Sequence, residues 1–291
     1  MNEKTNFLVK EEVYFEEAIG LFEDKSNNKW ENRYKSWNHC YNIFHYVKDN
    51  IKDNKTKLDD ELYEISNKNK WTYKDELALH LAFYMASWGM YRGSSFLLQN
   101  DYTIYKEVVE AIFDSKYDDL WDDSKLFSSE NNVDKIKDLY YAIFEKLKPY
   151  KCYFVNKSYF KNETQEPQSR EFLTIITKII LGTIGCFPAL DRNFKQGFGL
   201  QKTSSKKDKT INNKTTNEYV NNCIKRVYEL VCAKYEQYKQ NNQNITKYPF
   251  MKQIDMYYFI KGIEDEFLIN IGLEPDRDKD KESNNQLYRW K

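Results

Sequence analysis

Apolar residues recur at helical spacing along nearly the whole chain, and few residues interrupt the pattern. The 291 residues include only 9 glycines and 5 prolines, too few for the many turns of a β-sandwich or a propeller. Helical periodicity is clearest in residues 8–23, 37–47, 75–90, 105–113, 133–147, 218–238 and 251–267. Because no series of strands and no repeat accompanies these segments, the sequence predicts an all-α, multi-helical protein.

Polar segments divide the predicted helices into two candidate lobes. A polar loop at 156–168 separates an N-terminal helical lobe (1–150) from a C-terminal one (169–270), and the two join near 149–168. The helix over 133–147 should end before Pro149, and Ser169 should cap the next helix. A lysine-rich loop follows at 196–217, and a charged tail at 271–291 should be frayed.

Charge and cysteine usage exclude several classes of protein. The 45 basic and 45 acidic residues balance, which neither requires nor excludes a nucleic-acid partner. No apolar run reaches the length of a membrane span, and no signal peptide is visible. Five cysteines without a Cys-x-x-Cys pair and three histidines without His-x-x-x-His spacing favour no disulfide framework, metal or other cofactor. We expect a cytoplasmic protein without a membrane partner.

The segment with the most distinctive chemistry follows the apolar run at 174–185. Residues 187–195 read Phe-Pro-Ala-Leu-Asp-Arg-Asn-Phe-Lys. Pro188 is typical of a helix start, and Asp191 should then lie in the first helical turn, where a carboxylate is favoured.

This segment resembles the active-site stretch of the helix-hairpin-helix DNA glycosylase superfamily. The adenine-excising members carry Phe-Pro-x-Leu-Asp-x-Asn, an aliphatic residue and Lys around the catalytic aspartate, and Phe194 fills the aliphatic position here. The resemblance implies a DNA-glycosylase-like fold, DNA as the partner and Asp191 as the catalytic residue. One departure is that the only hairpin-like string, Leu181–Gly185, ends directly before the motif instead of a whole helix earlier.

The chemistry of base excision explains how one aspartate could suffice. Breaking a glycosidic bond builds positive charge on the sugar, which a fixed carboxylate stabilises, and the flipped base needs an aromatic, hydrogen-bonding pocket. Candidates for the pocket or for phosphate contacts are Trp37, His39, Trp88, Tyr91, Arg92, Ser94, Lys178, Arg192 and Asn193. A core position is the alternative for Trp88 and Tyr91. For Arg92 it is an ion pair with an internal carboxylate such as Asp75, Asp101 or Asp255, and we expect Asp255 to be a structural partner and not a catalytic group.

Lys178 raises a separate mechanistic question. Some glycosylases of this superfamily use a lysine that attacks the sugar, and Lys178 lies 13 residues before Asp191 inside an apolar run. A structural or phosphate-contacting role suits Lys178 better than that of a nucleophile. We therefore expect a monofunctional enzyme that leaves an abasic site. Bacterial relatives that remove modified bases from phage DNA suggest an antiviral role and a modified base as the substrate.

Two other functions are compatible with the sequence. Arg33 and His39 have the Arg-x(4–6)-His spacing of the helical HEPN ribonucleases of toxin and defence systems, although Tyr34 occupies a position that is usually polar there. A non-enzymatic helical interaction protein, whose buried polar residues only stabilise the core, is the other alternative.

Overall fold

The computed structural model describes residues 31–66, 69–93, 95–157, 167–200, 213–241 and 248–270. The described α-helices are α1 (Glu31–Lys52), α2 (Tyr73–Ser87), α3 (Lys106–Ile112), α4 (Asp123–Leu126), α5 (Asn132–Lys157), α6 (Leu173–Thr183), α7 (Arg192–Gly197), α8 (Asn213–Asn241) and α9 (Phe250–Asn270). Short 3₁₀ segments lie at Phe96–Gln99, Tyr102–Tyr105, Ser115–Trp121 and Ser169–Phe172. The predicted all-α architecture is confirmed. The predicted helix at 8–23 and the tail at 271–291 lie outside the described residues.

A small β-hairpin between α1 and α2 was not predicted. Strand β1 (Glu61–Ser66) pairs antiparallel with β2 (Asn69–Thr72), and the rings of Tyr63 and Trp71 stack 5.9 Å apart. The hairpin leads directly into α2, because Thr72 and Asp75 form a reciprocal capping box. Strands of six and four residues are too short to show a clear period of two.

Two predicted helix boundaries were wrong. Helix α5 continues through Pro149 to Lys157 instead of ending before the proline. Proline costs a helix one hydrogen bond, and burial of apolar side chains such as Leu147 offsets that cost. Ser169 is the first residue of a 3₁₀ segment and not a cap, because its hydroxyl donates to Asn217 Oδ1 at 2.6 Å.

One hydrophobic core includes residues from both candidate lobes. It joins Trp37 and Leu81 from the N-terminal part to Ile180 and Val227 from the C-terminal part. Helix α6 lies within this core, and every residue from Ile176 to Leu190 is buried. The helix ends in a turn in which Gly185, at φ +79°, donates its N–H to the carbonyl of Ile180. The backbone that leads to Asp191 is therefore fixed on all sides.

Two glycines allow α7 and α9 to pack at backbone distance. A Cβ on Gly262 would lie 2.6 Å from the carbonyl carbon of Asn193, and one on Gly197 would lie 2.7 Å from the Gly262 nitrogen. No side chain fits at either position without moving backbone. This contact positions α7 and, with it, Asp191. Across the described ranges, no helix is both long and apolar enough to cross a membrane.

Candidate active site around Asp191

Asp191 is the N-cap of α7 and lies one residue before the first helical turn in which it was expected. Its Oδ1 accepts a hydrogen bond from the backbone N–H of Phe194 at 3.0 Å. Pro188 does not begin the helix. The backbone N–H groups of Ala189 and Leu190 donate to side chains of other helices instead of entering a helical pattern. The motif therefore forms a buried, non-helical approach to a short helix.

Lys178 on α6 holds the other oxygen of the same carboxylate. Its Nζ donates to Asp191 Oδ2 at 3.1 Å, and the ammonium lies 4.8 Å from the ring centre of Trp88. The Lys178 side chain is 4% exposed and that of Asp191 is 17% exposed. Since a buried ammonium is costly unless it is paired, the carboxylate and the aromatic face together account for its position. The pair is buried at the lysine and open at the aspartate.

A second ion pair lies beside the first and belongs to α9. Lys252 Nζ donates to Asp255 Oδ2 at 3.1 Å, and Asp255 Oδ1 accepts the N–H of Ala189 at 3.0 Å. The Lys252 ammonium lies 5.3 Å from the ring of Trp88 and 5.2 Å from that of Trp37. Burial raises the pKa of the Asp255 carboxyl and lowers the pKa of the Lys252 ammonium, while their mutual attraction opposes both shifts.

Threonines of α6 fix the backbone just before Asp191. Thr177 accepts a hydrogen bond from the N–H of Leu190 at 2.9 Å and donates its hydroxyl to the carbonyl of Leu173 at 2.7 Å. Thr174 donates its hydroxyl to the Leu190 carbonyl at 2.9 Å. Both polar groups of the residue preceding Asp191 are therefore bound to one helix. The carboxylate is preorganised by the fold and does not depend on a loop conformation.

The structure brings some of the predicted site residues together. Asp191, Lys178 and Trp88 form one contact group, and Trp37 reaches it through Lys252. Trp37 is 1% exposed and its indole N–H donates to the carbonyl of Leu181 at 2.9 Å, so it is a core residue at the edge of the group.

The remaining predicted residues lie elsewhere or on the surface. His39, Arg92 and Arg192 are exposed, Asn193 is partly buried against α9, and the hydroxyl of Tyr91 donates to that of Tyr105 at 3.3 Å. Ser94 and the side chain of Arg33 lie outside the described residues. Asp75 and Asp255, two suggested partners of Arg92, pair with Lys106 and Lys252.

Sequence reasoning missed Lys252 and Thr177. Asp255 was predicted to be a structural partner, but Lys252 was not recognised as the residue with which it pairs. The signal was present in both helices, because Thr177–Lys178 interrupts the apolar run of α6 and Lys252 lies in the aromatic segment of α9. Polar residues inside an otherwise apolar helix need partners. Lys178 pairs with Asp191, Thr177 accepts from Leu190, and Lys252 pairs with Asp255.

The hairpin-like string cannot contact DNA as a glycosylase hairpin does. All five residues of Leu181–Gly185 are buried at the end of α6. Within the described ranges, no group of three His, Cys, Asp or Glu residues could hold a metal ion. Comparison of the chain with protein-family models, curated proteins and solved structures gave no match.

Proposed function

We propose that the chain is a monofunctional DNA N-glycosylase in which the Asp191 carboxylate stabilises the developing sugar cation. The proposal combines the Phe-Pro-x-Leu-Asp resemblance with the surroundings of Asp191. The observation that carries it is a carboxylate fixed at both oxygens, by Phe194 N–H and Lys178 Nζ, that is still 17% exposed. A purely structural ion pair gains nothing from that exposure.

The arrangement suits dissociation of a glycosidic bond. As the C1′–N bond breaks, its electron pair leaves with the base, which takes up a proton, and positive charge remains on the sugar. The Asp191 carboxylate offers a preorganised negative charge without reorganisation. Water then adds its oxygen to C1′ and loses a proton, which the carboxylate can accept.

Lys178 supports this chemistry as the partner of Asp191 and not as a nucleophile. Its ammonium donates to the carboxylate, faces Trp88 and is 4% exposed, so it is engaged with Asp191 and is not presented to a sugar. The indole Nε1 of Trp88 is buried and has no acceptor within the described residues. The ring itself is only partly buried and faces the ammonium that holds the carboxylate, so its exposed part is an aromatic surface for a base outside the stack.

The substrate we favour is a base in locally opened or modified DNA. The string that resembles the hairpin is buried, so a grip on regular duplex would need other residues. DNA of phages with hypermodified bases is therefore the first substrate to test, next to unmodified and damaged oligonucleotides.

The test measures base release and alkali-labile sites with wild-type protein and with Asp191→Asn. Asparagine can still cap α7, but the Lys178 ammonium loses its charged partner. Base release is therefore compared at a temperature at which urea unfolding shows that Asp191→Asn is folded. We expect a loss of about 100-fold or more in base release. The matched control is Asp101→Asn, which alters an exposed aspartate that also caps a helix, and it should retain wild-type activity.

Four outcomes would contradict the proposal. Equal base release by wild type and Asp191→Asn would remove Asp191 from the chemistry. Covalent trapping of Lys178 on DNA by borohydride would show a lyase instead of a hydrolase. No base release from any DNA, together with RNA cleavage that depends on Arg33 and His39, would assign the chain to the ribonucleases. The absence of both base release and RNA cleavage would favour a non-enzymatic interaction protein.

A further inference from the structure

Basic side chains from two other elements meet one face of α8, close to Asp191. Tyr219, Cys223 and Arg226 follow one another at helical spacing on α8, so they lie on the same face of that helix. The Arg170 guanidinium, from the 3₁₀ segment before α6, lies 4.3 Å from the centre of the Tyr219 ring. This stacking brings Arg170 to the face of α8 that also carries Arg226.

Lys195 approaches the same face from α7. Asn193 and Gly197 face α9, and at about 100° per residue Lys195 lies on the opposite side of α7. Burial lowers the pKa of the Lys195 ammonium, while the neighbouring Asp191 and Cys223 act to raise it. Burial raises the pKa of the Cys223 thiol, and the charges of Lys195 and of both arginines oppose that shift because they lie nearby. Lys195 therefore completes a basic cluster with Arg170 and Arg226.

The basic cluster has no anionic partner of its own. Across the described ranges, none of its three side chains forms an ion pair or donates a hydrogen bond. The acidic residues beside the two arginines are used elsewhere, because Glu171 pairs with Lys151 and Glu229 pairs with Lys225. Two of the three cations are partly buried, and a cation removed from water gains from a bound anion.

Contacts within the fold, and not a counter-ion, hold Arg170 in place. Ser169 donates its hydroxyl to Asn217 Oδ1 at 2.6 Å, and Thr216 donates its hydroxyl to Gln168 Oε1 at 3.1 Å. These bonds tie the segment that carries Arg170 to the start of α8. A guanidinium stacked on a ring keeps the N–H groups at its edge available, and their planar fork matches the oxygens of a phosphate. The cluster is therefore preorganised for an oxyanion.

The position of the basic cluster relative to Asp191 indicates which oxyanion it would take. Lys195 lies one helical turn beyond Asp191, whose carbonyl accepts the Lys195 backbone N–H at 3.0 Å. Since every sugar inside a DNA strand is joined to phosphates, a sugar at Asp191 places a phosphodiester near this turn. We propose that the basic cluster binds a backbone phosphate of the DNA beside the nucleotide at Asp191. The choice of DNA rests on the proposed function. Such a contact would supply a grip on the strand that the buried hairpin-like string cannot.

Fluorescence anisotropy of a labelled DNA duplex with an unpaired central segment, titrated with the full chain at several salt concentrations, tests the proposal. Arg226→Gln removes the charge of an exposed side chain. It should weaken DNA binding about tenfold at about 0.1 M salt and reduce the slope of log affinity against log salt by about 1. Lys195→Gln should act in the same direction. The matched control is Lys225→Gln, on the same helix but paired with Glu229. It removes the same charge from another face and should leave affinity and slope unchanged.

Several results would overturn the inference. These are an unchanged salt slope in Arg226→Gln and Lys195→Gln, or an equal loss of affinity in Lys225→Gln. Displacement of the DNA by micromolar inorganic phosphate, in wild type but not in Arg226→Gln, would assign the cluster to a free phosphate compound and also overturn it.

Asp191→Asn separates this proposal from the proposed function, because it should lose base release and retain DNA affinity with its salt slope. Base release that depends on Asp191, with unchanged salt slopes in the cluster variants, would refute only the phosphate site. Reduced slopes in those variants, without base release from any DNA, would refute only the proposed function.

Discussion

His45 should make the stability of this protein fall steeply as the solution becomes acidic. Its Nε2 donates to the carbonyl of Ile184 at 3.2 Å, and its ring packs against Tyr41 and Trp121. Burial lowers the pKa of His45 from 6.5 to about 4. At neutral pH the imidazole is therefore uncharged, with its proton on Nε2, the nitrogen that faces the carbonyl.

The sign and size of the effect follow from the two protonation states. Between pH 6.5 and about 4 the unfolded chain binds a proton at this position while the folded chain does not, so acid favours unfolding. The gap between those two pKa values corresponds to about 2 kcal/mol lost at pH 5, and about 3 kcal/mol at pH 4, relative to pH 7.

Urea unfolding of wild type and His45→Gln at pH 7, 5 and 4 isolates this contribution. Glutamine retains an N–H donor for Ile184 and does not titrate, so its unfolding free energy should fall less with acid by the amounts given above. The exposed His39 supplies the control, because His39→Gln should keep the wild-type pH dependence. Parallel curves for wild type and His45→Gln, or an NMR titration of His45 near 6.5, would refute the reasoning.

Three further substitutions test the framework around Asp191. Gly262→Ala should destabilise the protein by about 3 kcal/mol in urea unfolding, although alanine normally favours a helix, because the new Cβ meets the backbone of Asn193; a stabilised variant would disprove the close contact. Lys252→Met alone should cost about 3–5 kcal/mol, and adding Asp255→Asn should recover most of it; additive losses would show that the pair is not coupled. Thr177→Val should cost about 1–2 kcal/mol, since a buried backbone N–H loses its acceptor, and a change below 0.5 kcal/mol by thermal unfolding would contradict this.

The helical architecture could be predicted because burial leaves a periodic trace in the sequence. Helix α6 packs against several elements at once, and its run of isoleucines and leucines records that directly. The hairpin at Glu61–Thr72 leaves little trace, because its two strands are short and largely polar. Pro149 misled the prediction for a different reason, since a local rule gave way to tertiary packing along α5.

The candidate site was predictable only in part. The Phe-Pro-x-Leu-Asp string pointed to Asp191 as a candidate, and the cost of an isolated lysine in an apolar run pointed to Lys178. Their ion pair depends on the non-helical segment between α6 and α7, which brings Asp191 back beside the helix that carries Lys178. Lys252 comes from α9, more than 50 residues later, and only the three-dimensional fold places it beside Trp88. Long-range pairs of this kind have no local signature.

The two neighbouring ion pairs, Lys252–Asp255 and Lys178–Asp191, differ in how completely a role in the fold explains them. Lys252 and Asp255 are both nearly inaccessible, and the carboxylate also holds the N–H of Ala189, so their role in the fold is complete. A buried pair adds little net stability compared with apolar residues of equal volume. Asp191 also caps α7 and pairs with Lys178, but neither role requires its carboxylate to be turned toward solvent. The exposed end of the Lys178–Asp191 pair is the part of this cluster that points to chemistry.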